Sequence, residues 1–134
     1  MSKALLIAGG ILNALFAVFH FALPSLAQWQ NTLSTISTDS QAVMYTLNLA
    51  AAFTLLVFAF VSVFYRHDLL TTNLGKALSI SIALFWLVRA VAEILYFRIG
   101  VNGTWINVVI FGAIGVLYLI LLFPGLRPRA AAQQ

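Results

Sequence analysis

Four long runs of apolar residues dominate the chain, and each ends at a charge, a glycine or a proline. The runs cover residues 4–23, 42–65, 74–97 and 103–123. A helix needs about 20 apolar residues to cross the hydrocarbon core of a membrane, so each run is long enough. The strands of a membrane barrel would alternate apolar and polar positions, whereas these runs are apolar nearly throughout. The pattern therefore predicts an all-α integral membrane four-helix bundle, formed as one domain over residues 1–134.

The composition indicates that lipid, and not water, surrounds the chain. Hydrophobic residues make up 63% of the chain and charged residues 7%, whereas about a quarter of the residues of a soluble domain are charged. So few charges cannot cover a water-facing surface, and we expect the lipid bilayer to be the main partner. The basic residues are scattered at the ends of the runs without interleaved aromatic residues, which argues against a nucleic-acid partner.

Lysine and arginine are distributed unevenly between the two ends of the predicted spans. One end receives five of these residues and the other end receives one. The five are Lys3, Arg66, Lys76, Arg127 and Arg129, and the one is Arg98. Because cytoplasmic loops of membrane proteins are enriched in lysine and arginine, the pattern predicts that both termini and the loop 66–76 are cytoplasmic. The expected location is a bacterial inner membrane that the chain crosses several times.

The connection between the first two runs, residues 25–41, carries an amphipathic pattern. The apolar residues that recur there at helical spacing are Leu26, Trp29, Leu33 and Ile36. This spacing predicts a short helix that lies in the membrane interface. Pro24 is predicted to end the helix before it. Residues 38–41, Thr-Asp-Ser-Gln, match a capping box and are predicted to open the second long helix.

Each predicted span carries a strongly polar side chain in its outer half. At 1.5 Å per residue, these side chains lie roughly 4–10 Å outward of the middle of their helices. They are His20 on the first span, Asn48 on the second, Arg89 and Glu93 on the third, and Asn107 on the fourth. One face of the third span presents Ser79, Ile82, Trp86, Arg89, Glu93 and Tyr96. The common depth predicts a polar pocket inside the outer half of the bundle.

Arg89 and Glu93 are the most informative pair in the sequence. A lone charge at the middle of a membrane helix costs on the order of 3 kcal/mol. An inward-facing ion pair between residues four apart on a helix removes much of this cost. The pair is interpreted either as structural, pinning the third helix against its neighbours, or as part of a proton or ligand site, since ionisable residues within membranes commonly mark function.

The leading interpretation is a small inner-membrane accessory or scaffold protein whose pocket binds a lipid-like or amphiphilic ligand. The candidate ligand-binding residues are His20, Tyr45, Asn48, Trp86, Arg89, Glu93 and Asn107. Trp105 is expected near them. In this interpretation Arg89 binds an anionic or carbonyl group, Glu93 holds Arg89, and His20 makes one hydrogen bond to the ligand. A membrane-protein partner or a homo-oligomer is compatible with it.

Two other functions stay open from the sequence. One is an enzyme that uses His20 and Glu93 for acid–base chemistry on a lipophilic substrate. The other is a proton-coupled transporter formed by an oligomer. We expect no metal and no cofactor. The chain has no cysteine, His67 is predicted on the opposite side of the membrane from His20, and His20 with Glu93 supplies too few ligands for zinc.

Several short motifs carry a resemblance to known proteins. They are FHFALP at 19–24, LN at 47–48, LLTTNLGKAL at 69–78 and FWLVRAVAEILYF at 85–97. With these motifs the chain resembles a set of small bacterial four-helix membrane proteins without an assigned activity. Glu93, followed by an apolar and aromatic run, also resembles the third span of the eukaryotic four-helix sterol-biosynthesis scaffold protein. That second resemblance implies a lipid-associated scaffold and not a catalyst.

Overall fold

The computed structural model describes residues 2–97 and 104–123, and every regular element in these ranges is a helix. The helices are α1 (Ser2–Leu26), α2 (Trp29–Thr32), α3 (Thr38–Phe64), α4 (Arg66–Thr71), α5 (Asn73–Tyr96) and α6 (Thr104–Ile120). The predicted all-α fold is therefore confirmed. The first three apolar runs of the sequence correspond to α1, α3 and α5, and the fourth corresponds to α6.

Three of these helices are long and apolar enough to cross a membrane, namely α1 from Lys3 onward, α3 and α5. Helix α6 is apolar but shorter, with 17 residues. Many large apolar side chains point away from the packed interior, including Leu15, Leu47 and Val88, each 60% exposed or more. The outside of the helices is thus apolar, which is the reverse of the arrangement that water imposes on a soluble domain.

Helices α1, α3, α5 and α6, which we call the four long helices, pack as two pairs. The most extensive contacts join α1 to α3 and α5 to α6, and the short helix α4 touches α1, α3 and α5. Within the first pair, a Cβ added at Gly10 would lie 2.7 Å from the Val63 side chain and 3.2 Å from the Ala59 carbonyl oxygen. Glycine therefore lets the backbones of α1 and α3 approach closely.

Aromatic side chains make contacts between the two pairs. The ring of Phe16 on α1 lies 5.0 Å from the ring of Trp86 on α5 and 5.6 Å from that of Phe111 on α6. Phe58 on α3 meets Phe85 on α5 edge to face at 5.3 Å. Because the pairs meet through large rings and few backbone contacts, space remains between them, and this space holds the candidate site.

Helix α1 continues past Pro24 to Leu26, so the prediction that Pro24 ends it is wrong. Proline has no N–H and leaves the carbonyl four residues earlier, here that of His20, without its helical partner. The side-chain amide of Asn48 on α3 donates to this carbonyl at 2.8 Å. The neighbouring helix thus satisfies the group that proline orphans, and α1 runs on.

The segment between α1 and α3 is less helical than its apolar spacing predicts. Helix α2 is a single turn of four residues, and it follows Gln28, whose φ of 49° is left-handed. The N-cap of helix α3 lies one residue before the first residue of the predicted capping box. Its N-cap is Ser37, whose hydroxyl accepts from the Ser40 amide, and Gln41 donates from its side chain to the Ile36 carbonyl.

Helix α4 occupies a segment that the sequence analysis treats as a loop. It buries Leu69 and Leu70 beneath its exposed Arg66-His67-Asp68 end. Gly75, in the first turn of α5, lies directly against the backbone of α4: a Cβ there would overlap the Asp68 carbonyl. The turn between α4 and α5 is closed by Thr72, whose hydroxyl caps α5 by accepting from the Gly75 amide at 2.9 Å.

Candidate functional site

A cavity of about 600 Å³ lies between the two helix pairs, and all four long helices line it. We call it the cleft. Its polar lining residues are His20 on α1, Arg89 and Glu93 on α5, and Asn107 on α6. The rest of the lining is apolar and largely aromatic, with Phe16, Phe85, Trp86 and Phe111 among its members. Four of the five polar residues predicted for one depth of the membrane therefore meet in a single cavity.

The charged pair forms one end of this polar lining. Arg89 donates from Nη1 to Oε2 of Glu93 at 2.6 Å, one helical turn along α5. Asn107 donates from its side-chain amide to the other carboxylate oxygen of Glu93 at 2.8 Å. The Glu93 side chain is 3% exposed and that of Arg89 is 36% exposed. Glu93 is thus buried with a donor on each oxygen, and Arg89 remains accessible.

Aromatic rings hold the Arg89 guanidinium in place. Its central carbon lies 4.9 Å from the centre of the Phe111 ring and 5.7 Å from that of Phe97. A guanidinium over a ring face gains about 0.5–2 kcal/mol, more when water is excluded. The charge is therefore positioned from two sides, by the Glu93 carboxylate and by the rings, and it forms part of the cleft wall.

His20 and Asn48 form a second, reciprocal contact on α1 and α3. Asn48 donates from Nδ2 to the His20 carbonyl at 2.8 Å, and its Oδ1 lies 2.8 Å from Nδ1 of the His20 ring. The carbonyl can only accept, which fixes the orientation of the amide, and the amide oxygen can only accept in turn. Nδ1 therefore carries a proton, and in the neutral tautomer Nε2 has a free lone pair.

A fully buried polar network stands behind Trp86. The indole N–H of Trp86 donates to Oδ1 of Asn13 at 3.1 Å. The Asn13 amide donates to the Tyr118 hydroxyl at 3.0 Å and to the Gly9 carbonyl at 2.8 Å. Tyr118 and Ser62 share a hydroxyl hydrogen bond of 2.6 Å. This network ties all four long helices together and fixes the ring of Trp86, which lines the cleft.

Five of the seven candidate residues line the cleft. They are His20, Trp86, Arg89, Glu93 and Asn107. Asn48 stands behind His20 and orients it. Tyr45 lies elsewhere: it meets the Trp29 ring at 5.1 Å and lines two neighbouring cavities that include Pro24. Tyr96 is 82% exposed and lies outside the buried polar face predicted for α5. Trp105, which was expected near the pocket, is 54% exposed and does not line the cleft.

Most of the aromatic wall and the network behind it were not predicted from the sequence. Phe16, Phe85 and Phe111 look like any other apolar residue of a spanning helix, and only the packing of the pairs shows that they enclose a cavity. Asn13 could have been identified as an inward-facing residue, because it lies two turns before His20 on the same face of α1. Its partner Tyr118 could not be identified from spacing, since the two residues lie on different helices.

Comparisons with known proteins give no functional assignment, so a function can be proposed only from the geometry of the cleft. No family model matches the chain, and neither the curated proteins nor the solved structures gave a similar one. In the ranges 2–97 and 104–123, no group of three or more His, Cys, Asp or Glu side chains is placed to hold a metal ion. What the cleft offers chemically is an accessible guanidinium, an imidazole and flat apolar walls.

Proposed function

We propose that this chain is a small accessory or scaffold protein of a bacterial inner membrane, and that it binds a lipid-like, amphiphilic ligand in the cleft. In this proposal all four long helices cross the membrane as one bundle, with both termini in the cytoplasm. The observation that carries the proposal is the composition of the cleft, which combines a compact polar lining with aromatic walls between two helix pairs.

The exposed surface supports the membrane part of the proposal. The outward side chains of the long helices are large and apolar, and three of these helices have the length and composition of membrane spans. Exposing such a surface to water would be costly, at roughly 25 cal/mol for each Å². The bias of lysine and arginine toward one end of the helices supports the proposed orientation.

The shape of the cleft supports an amphiphile as the ligand. Its inner wall is formed by Leu55, Trp86 and Glu93, which are 2% exposed or less. The lining also includes Phe19 and Phe97, which are 47% and 52% exposed. A ligand can therefore place a polar group at Arg89 and His20 and let an apolar tail leave past the outer phenylalanines into the lipid.

The contacts of Glu93 and His20 favour binding over acid–base catalysis. Both carboxylate oxygens of Glu93 already accept a hydrogen bond, from Arg89 and from Asn107. His20 bonds to Asn48, and the described contacts place no hydrogen bond between His20 and Glu93. A general base must reach the proton it takes, so a carboxylate held in this way is better suited to position Arg89 than to exchange protons.

Native mass spectrometry of the protein, released gently from membranes, tests the proposal. We expect one amphiphile bound to each chain in stoichiometric amount. Arg89→Gln should weaken the affinity about tenfold or more and so lower the bound fraction, because a charge-assisted hydrogen bond contributes about 1.5–3 kcal/mol. The spectrum also reports the number of subunits.

Arg66→Gln is the matched control. Arg66 lies in α4, exposed and away from the cleft, and donates to the Val63 carbonyl. Its replacement should leave the bound fraction unchanged. Wild-type protein that carries only a variable mixture of bulk lipids, equally retained by both variants, would overturn the proposal.

A further inference from the structure

The ionic state of the cleft restricts the ligand that it accepts. Arg89 and Glu93 neutralise each other at 2.6 Å, and the described lining of the cleft contains no other lysine, arginine, aspartate or glutamate. An anionic head group would add an uncompensated charge next to the buried carboxylate of Glu93, which is costly in a low-dielectric site. The polar end of the ligand should therefore be uncharged.

The hydrogen-bonding groups restrict the ligand further. In the neutral form of His20, Nε2 can only accept, because Asn48 holds the ring proton on Nδ1. Arg89 can only donate, and in the described part of the chain Glu93 is its one hydrogen-bond partner. A ligand that satisfies both must donate to one and accept from the other. A hydroxyl group does both, whereas an ester, a ketone or an ether only accepts.

The walls of the cleft select the shape of the group that carries the hydroxyl. Phe16, Trp86 and Phe111 lie with ring centres 5.0–5.6 Å apart, so the wall beside Arg89 is built from ring surfaces. Aromatic rings prefer offset or edge-to-face partners at similar spacing. A flat ring fits such a wall better than a flexible acyl chain does.

We infer that the ligand's polar end is a neutral aromatic hydroxyl, as in a phenol or a hydroquinone with an apolar tail. The hydroxyl donates to Nε2 of His20 and accepts from Arg89, while the ring packs on the aromatic wall. This inference rests on the proposed function, because it names the chemical class of the amphiphile in the same cleft.

A set of matched ligands tests the inference on the wild-type protein. The probes are a para-alkylphenol, its methyl ether, and a fatty acid with the same alkyl chain, each titrated in detergent and followed by native mass spectrometry. The methyl ether keeps the ring and the tail but cannot donate. We expect the phenol to bind about tenfold more tightly than the ether, since a buried acceptor is otherwise left unpaired. The fatty acid should compete weakly.

Histidine variants test whether His20 is the group that distinguishes the phenol from its methyl ether. His20→Phe should bring the affinities for phenol and ether to within about twofold of each other, because the acceptor is gone. His67→Phe, at the exposed histidine of α4, should preserve the difference. Thermal unfolding of each variant shows whether it is folded, and the comparison of ligands on wild-type protein does not depend on that result.

The outcomes separate this inference from the proposed function. Equal binding of phenol and ether, or preferred binding of the fatty acid, would overturn the aromatic hydroxyl and leave an amphiphile-binding cleft. Binding of none of the three probes, together with no copurified amphiphile, would overturn both.

Discussion

Asn48 on α3 takes the place of the backbone N–H that Pro24 removes from α1, by donating to the His20 carbonyl at 2.8 Å. The same amide group orients the His20 ring through Nδ1. The Asn48 side chain thus lets α1 continue through Pro24 and also orients the imidazole ring that lines the cleft. Structure and candidate function are coupled at this residue, because its loss affects both.

Asn48→Leu should lower the free energy of unfolding by about 1–3 kcal/mol, since it leaves the His20 carbonyl without a donor in a half-buried site. Adding Pro24→Ala restores a backbone N–H four residues after that carbonyl. The double variant should therefore recover part of the loss, whereas Pro24→Ala alone should have a much smaller effect. Thermal or denaturant unfolding in detergent micelles measures all three. Strictly additive effects would show that Pro24 and Asn48 do not act on the same carbonyl.

Arg89→Leu should destabilise the protein by about 3–5 kcal/mol, because it leaves the buried Glu93 carboxylate without its counter-charge. Arg89→Leu combined with Glu93→Leu removes both charges and should cost much less than the single change. Unfolding measured for wild type, both single variants and the double variant gives the coupling energy directly. Equal losses in the single and double variants would mean that Arg89 and Glu93 do not form an ion pair.

Gly75→Ala should destabilise the protein by about 2 kcal/mol or more, because the added Cβ overlaps the backbone of α4 at Asp68, which cannot move aside as a flexible side chain would. Gly112→Ala is the control. A Cβ at Gly112 meets nothing within 4 Å, and alanine favours a helix interior over glycine by roughly 0.5–1 kcal/mol. That variant should be neutral or slightly more stable. A tolerated Gly75→Ala would contradict the close packing of α4 on α5.

Membrane orientation can be read out with single cysteines, since the chain contains none of its own. Gln30→Cys should react with a membrane-impermeant maleimide in spheroplasts, because the segment between α1 and α3 is proposed to lie outside. His67→Cys should react only after the membrane is permeabilised. Both sites are exposed in the structure, so access depends on the membrane alone. The opposite labelling pattern would reverse the proposed topology.

Much of the fold follows from the sequence. A long apolar run away from water satisfies its backbone hydrogen bonds within one segment only as a helix. The Arg89–Glu93 pair was predictable as well, since residues four apart face the same side of a helix. Depth along each helix indicated that His20, Asn48, Arg89, Glu93 and Asn107 would lie at one level. These features depend on distances within one helix, which the sequence contains directly.

The remaining features depend on which helices become neighbours. The partners Asn48 and His20 lie on different helices, as do Asn13 and Tyr118, so spacing alone could not pair them. The prediction that Pro24 ends α1 failed for this reason, because the rescuing donor comes from another helix. Tyr45 shares a face of α3 with Asn48 but packs on Trp29 of α2 instead of lining the cleft.

The central claim is that a ligand occupies the cleft, and filling the cleft tests it most directly. Ala51 lines the cleft, whereas its neighbour Ala50 is exposed on the outside of α3. Native mass spectrometry of wild type, Ala51→Trp and Ala50→Trp compares a blocked cleft with an indole added to the outer surface. We predict that wild type and Ala50→Trp retain one amphiphile per chain and that folded Ala51→Trp has lost it. Retention of the same amphiphile by folded Ala51→Trp would contradict the account.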